Sequence, residues 1–276
     1  MIGLLVNVPQ ADYPADYLLG RLPARQARWE EMLAPAGWTA LGEEFRWLYG
    51  QLHHRLRQEL APLFLYFELR PLFLFLRGLA GKKGEGGKMV LMATLLADDL
   101  KRELLREQEV GAALRRLSRS WPAGIDLGRL YGAGGLTAVE QGMTRQVLET
   151  AARRPTALQP FWAALVDLEN IMALAKRLRW QARRPFSYRM GGAIDLRRLI
   201  KVEQGKTSVM SVAGGLAQAV QQRVWPLEDE LIDRVRRQVA RQERPLAPDA
   251  AVAAYMWGAY GTMRRLAMAA TGEIPA

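Results

Sequence analysis

The chain reads as all-α. Apolar residues recur at three- and four-residue steps over long stretches, no sustained apolar–polar alternation occurs, and glycine- and proline-marked breaks separate stretches of helix length. The one weak strand candidate is residues 3–8, closed by Pro9. Phe45, Leu48, Leu52 and Leu56 put one apolar face on a helix expected over about residues 39–60. Residues 66–84 form an apolar helix with a basic, glycine-containing tail, and residues 81–88 (GKKGEGGK) read as a flexible linker. Phe161, Leu165, Leu168, Met172, Ala175 and Leu178 form a second stripe, and Leu227, Leu231, Val235 and Val239 a third. Residues 132–135, 183–192 and Gly214-Gly215 read as breaks. Pro245 and Pro248 introduce a last helix with Asp249 as its expected cap.

These breaks divide the 276 residues into three pieces, 1–88, 89–186 and 187–276, expected to be three similar helical bundles. Each piece closes on one apolar helix, at residues 66–84, 166–181 and 255–272, which places Glu68, Asp167 and Gly261 at matching positions. GIDLGRL (124–130) and AIDLRRLI (193–200) also echo each other, with Asp126 and Asp195 placed to cap helices whose leucines face inward.

Composition removes several chemistries. There is no cysteine, so disulfides, thiol nucleophiles and iron–sulfur ligation are excluded. The two histidines, His53 and His54, are adjacent and expected at the surface, which disfavours histidine-rich metal sites. Uncharged apolar runs such as 60–67 and 89–97 are too short to span a bilayer, and the N-terminus lacks a basic leader, so the cytoplasm is the expected compartment. The net charge of +11 comes from 39 basic residues, of which only seven are lysine. A GC-rich coding sequence also gives that arginine share, but the excess charge itself suits an acidic partner or surface.

Candidate enzymatic motifs are weak. Asp98, Asp99 and Glu103 have helical spacing for a magnesium-diphosphate site, but Lys101 and Arg102 crowd them. Glu228, Asp229, Glu230 and Asp233 lie on an arginine-rich helix, so both groups read as solvated faces. GKKGEGGK lacks the lysine–serine/threonine ending of a phosphate loop. The basic runs 176–184 and 234–244, with Trp180, offer an alternative reading as an arginine-rich nucleic-acid-binding or scaffold protein, without a recognition motif around them. The most informative pair is Asp167 and Asn170, one helical turn apart within an apolar helix. A buried carboxylate and amide side by side can satisfy backbone amides of a neighbouring element and fix how two helices dock. Asn170→Leu is expected to cost about 1–3 kcal/mol.

The pattern D-x-x-N-[apolar]-x-x-[apolar]-x-[K/R] in DLENIMALAK (167–176) resembles a repeated helix of the C/d family of rotor subunits, found in prokaryotic V/A-type ATPases and in eukaryotic vacuolar ATPases. ELRPLFLFLR (68–77) resembles another copy, with Pro71 where the pattern has asparagine. Tyr255, Met256, Trp257, Arg264, Arg265, Leu266 and Gly272 resemble the closing stretch, with Gly261 in place of its usual glutamate. Residues 17–33 and 187–199 resemble the family's first helix and the entry to its third repeat. The resemblance implies structural-motif roles for Glu68, Arg77, Asp167, Asn170, Lys176 and Arg264. It also implies three helical bundles arranged as a funnel, and a non-enzymatic rotor part without cofactor, present once per complex. Such a part seats the central stalk on the membrane rotor ring at the cytoplasmic face and transmits torque for ion translocation.

Overall fold

A computed structural model describes residues 2–9, 14–34, 37–81, 84–122, 124–153, 156, 158–180, 188–213, 224–240 and 247–270. The fold is all-α. Among the described residues no strand forms, and β pairing is confined to one antiparallel bridge between Leu5 and Leu96. The expected strand at 3–8 is instead a single turn of 3-10 helix, Ile2–Leu4, followed by that bridge. Its hydrogen bonds run from Val6 N–H to the Leu95 carbonyl at 2.7 Å and from Ala97 N–H to the Leu4 carbonyl at 2.8 Å.

The helices are α1 (Ala15–Gln26), α2 (Trp29–Leu33), α3 (Trp38–Gln51), α4 (His54–Ala80), α5 (Gly84–Met92), α6 (Asp98–Arg106), α7 (Val110–Ser120), α8 (Leu127–Ala152), α9 (Gln159–Trp180), α10 (Leu196–Glu203), α11 (Met210–Ala213), α12 (Val224–Ala240) and α13 (Pro248–Ala270). No helix among them is long and apolar enough to cross a membrane. Two compact units form, residues 1–148 with 258–276, and residues 149–257. The expected module limit at 88 falls inside α5, and the one at 186 lies outside the described residues.

In the first unit, the helix expected over 39–60 is broken. Leu52 ends α3 in an extended conformation, and the exposed His53 starts α4 by accepting the Arg55 N–H. The stripe survives the break, since Phe45, Leu48, Leu52 and Leu56 are all buried. Residues 84–88 belong to helix α5 and are no linker. α5 packs along α4, and the reason is the glycines that made the segment look flexible. A Cβ on Gly87 would stand 2.9 Å from the Phe75 Cα, so only glycine allows this approach of the two backbones. Leu65, Leu69, Leu72 and Leu76 on α4 join Leu91, Leu96, Leu100 and Leu104 in one core cluster. The break expected at 132–135 is a kink within α8, with non-helical backbone at Gly134 and Gly135.

In the second unit, α9 packs along α12 and against α10. Its stripe Phe161, Leu165, Leu168, Met172 and Ala175 is buried. On α12, Leu231, Ile232 and Val235 are buried, and the Ile232 carbonyl accepts the Trp257 indole N–H at 2.8 Å. Asp195 caps α10 through the Arg197 N–H at 2.9 Å, and in the first unit Asp126 accepts the Arg129 N–H at the same distance. Asp249 sits in the first turn of α13, one residue past its start at Pro248. Gly214-Gly215 and Pro245 lie outside the described residues.

Candidate functional site

Asp167 and Asn170 point from one face of α9 onto the stretch that leads into α10. The amide of the fully buried Asn170 closes a two-bond ring with one residue: its Oδ1 accepts the Arg189 N–H at 2.8 Å, and its Nδ2 donates to the Arg189 carbonyl at 2.9 Å. One turn back, Asp167 accepts the Ala193 N–H on Oδ2 and the Ile194 N–H on Oδ1, each at 3.0 Å. Both carboxylate oxygens and both ends of the amide are thus used on backbone 189–194. Gly192 lies against this carboxylate, and any Cβ there would collide with the Asp167 Oδ1. Burial raises the Asp167 carboxyl above the usual carboxylate range, opposed by the Ile194 and Ala193 N–H groups and by the Arg234 charge.

Side chains around this clamp tie the same stretch to α9. The buried Arg189 guanidinium donates to Glu169 Oε2 at 2.7 Å. Glu203 at the end of α10 pairs with Arg177 of α9 and accepts the Tyr188 hydroxyl at 2.9 Å. Burial, and then the Glu203 carboxylate that accepts its proton, push the Tyr188 hydroxyl above its ordinary value.

The first unit holds a related arrangement. Glu68 on α4 is buried and accepts the Leu95 N–H. Burial pushes its carboxyl up to about 8, against the Leu95 N–H and the Lys101 and Arg46 charges. Those two cations grip the neighbouring carbonyl: Arg46 donates to the Thr94 oxygen at 2.9 Å and Lys101 at 3.1 Å. Lys101 also pairs with Asp98 at 2.8 Å. Residues 94–97 are therefore held from α4 on one side and from Leu4 and Val6 on the other. Leu95 follows Glu68 by the same number of residues as Ile194 follows Asp167, namely 27. In both places the held stretch runs straight into a helix, α6 or α10.

The other residues singled out by sequence are spread out. Arg77 forms a two-pronged pair with Glu140 of α8, Nε to Oε1 at 2.6 Å and Nη2 to Oε2 at 2.5 Å. Arg264 is buried with its guanidinium over the Tyr260 ring, 5.9 Å from the centroid. Lys176 is exposed and its neighbour Arg177 makes the contact to α10. Pro71, in the asparagine position, lines a small hollow beside Glu68 with Trp38, Phe45 and Val90. The pairing of Asp99 with Arg102 is that of a charged helix face, as are Asp233 with Arg236 and Glu230 with Arg237, whereas Asp98 pairs with the buried Lys101. Of the basic runs, Lys176, Arg234, Arg236 and Arg237 are exposed; the side chains of residues 179–184 and 238–244 lie outside the described residues.

Arg46, Thr94 and Lys101, and likewise Glu169, Tyr188, Arg189 and Glu203, were not singled out by sequence. A signal existed for Lys101, a base among the apolar positions Leu100 and Leu104 of a helix; the partners of Asn170 are mostly backbone groups and leave none. Chemically, these carboxyl groups are occupied in binding backbone amides, an arrangement that fastens segments. Among the described residues, no group of three or more His, Asp or Glu side chains stands together to hold a metal ion. No known protein family matches this chain, and no curated protein does.

Proposed function

We propose that this chain is a non-catalytic coupling subunit of a V/A-type ATPase, of the C/d kind. In that role it sits on the cytoplasmic face of the membrane, once per complex and without a cofactor, and passes torque between the central stalk and the membrane rotor ring. The observation that carries the reading is the recurrence of one device: an acidic side chain on a long apolar helix binds backbone amide 27 residues further on, at Glu68 to Leu95 and at Asp167 to Ile194. These acids head the two motif copies, ELRPLFLFLR and DLENIMALAK, on which the resemblance rests. The proposal includes three helical modules in a funnel, the third being the one with Gly261 in the acid position.

The physical case is stiffness. A part that transmits torque must not yield between its helices, and close-packed helices have low compressibility. The weakest points are the connecting segments, since loops open most readily. Buried side chains that bind the backbone of those segments remove that weakness.

The test is deletion of the gene followed by assay of inverted membrane vesicles. ATP-driven ion uptake should be lost and return with the intact chain, and the tagged chain should co-purify with the ring and stalk subunits in single copy. Undiminished ATP-driven uptake by vesicles lacking the chain would refute the proposal.

A further inference from the structure

We infer that the outer face of α10 and the turn after it is a docking surface for an anionic phospholipid bilayer. This goes beyond the coupling role and does not depend on it. α10 turns Leu199 and Val202 inward, which leaves Arg197 and Lys201 one turn apart at the centre of its exposed side, flanked by Arg198 and Ile200. Lys206 extends the cationic surface after the helix. None of these four cations has an ion-pair partner among the described residues. The acids of the same stretch are engaged otherwise: Asp195 accepts the Arg197 N–H, and Glu203 binds Arg177 and Tyr188.

Large apolar side chains stand clear in the same segment. Met190 is 71% exposed, Met210 60% and Ile200 43%. Long cationic side chains with isolated, protruding apolar ones in the same segment are the chemistry of a bilayer interface. The cations meet headgroup phosphates, and the apolar groups reach toward the acyl boundary. The opposite sign of charge on the lipid selects an anionic surface over a neutral one, since four exposed cations outnumber the single exposed carboxylate of the stretch, Asp195, which caps α10. The face is also held in shape, because the stretch that leads into α10 is fastened by Asp167 and Asn170.

The experiment is co-sedimentation of the full chain with vesicles of phosphatidylcholine alone, or of phosphatidylcholine mixed with phosphatidylglycerol, at low and at high salt. Binding to the anionic vesicles should exceed that to the neutral ones by about tenfold or more and fall with salt. Arg197→Glu/Arg198→Glu/Lys201→Glu should reduce it to the neutral-vesicle level, with circular dichroism unchanged. Arg115→Glu/Arg119→Glu on the exposed side of α7 should leave it intact. Ile200→Ser/Met210→Ser should weaken it at high salt, where charge is screened. Equal binding by the triple variant and the unaltered chain would overturn the inference. So would failure to bind anionic vesicles at low salt, or preference for duplex DNA over those vesicles.

Discussion

The two fastened segments solve one problem with different chemistry. In the second unit the work is done by two side chains on one turn of α9, and the amide of Asn170 takes both polar groups of Arg189. In the first unit Pro71 stands in the asparagine position and has no such groups to offer. There the carbonyl next to the bound amide is gripped by Arg46 from α3 and Lys101 from α6. One clamp is thus local to one turn of α9; the other is assembled from three helices, with the cations of Arg46 and Lys101 beside a carboxyl that titrates near 8. A clamp written in i, i+3 spacing depends on the two side chains of its own helix, whereas a clamp built around such a carboxyl depends on protonation.

The largest expected effect is at the amide. Asn170→Leu leaves both the Arg189 N–H and its carbonyl buried without partners. With two groups orphaned, the loss of unfolding free energy in chemical denaturation should exceed the figure expected from sequence and reach about 2–4 kcal/mol. An equal stability would mean that water replaces the amide, and the contrast between the clamps would vanish. Gly192→Ala follows, at about 1–3 kcal/mol, because the new methyl must displace the Asp167 carboxylate.

The first clamp should respond to pH. The Glu68 carboxyl titrates near 8 in the folded chain and near 4.5 when unfolded, so the native state holds the extra proton between those values. Its contribution is complete below about 4.5 and is lost as pH rises through 8. Glu68→Gln, which keeps the shape of the protonated group, should match the unaltered chain at pH 5. At pH 9 it should exceed it by about 1–3 kcal/mol in denaturant melts. A pH slope that persists in this variant would assign the titration to another group.

Smaller effects mark the edges of the comparison. Arg77→Ala removes a largely exposed pair with Glu140 and should cost less than about 1 kcal/mol in thermal unfolding. Lys176→Ala, at an exposed position of the same motif, should stay within about 0.5 kcal/mol of the unaltered chain.

The contrast also explains what could be read from sequence. The long apolar stripes at Phe45–Leu56 and Phe161–Ala175 were legible because burial of a helix face imposes a three-to-four-residue period. Asp167 and Asn170 were legible as a pair because both lie on one turn. The first clamp was not, since Arg46 and Lys101 approach Glu68 from other helices and nothing in their local sequence names the partner. Glycine misled at residues 84–88: composition read flexibility, while packing uses the missing side chain of Gly87 to bring α5 against α4. The break between α3 and α4 was hidden because Leu52 and Leu56 continue the apolar pattern across it.

Amide hydrogen exchange, read residue by residue, tests the paired clamps most directly. In the unaltered chain the N–H groups of Leu95, Arg189, Ala193 and Ile194 should be protected although they lie outside helices. Asn170→Leu should speed exchange at Arg189, and Asp167→Ala at Ala193 and Ile194, by about tenfold or more with Leu95 unchanged; Glu68→Ala should do the reverse. Rapid exchange of these amides in the unaltered chain, or protection that survives all three substitutions, would contradict the account.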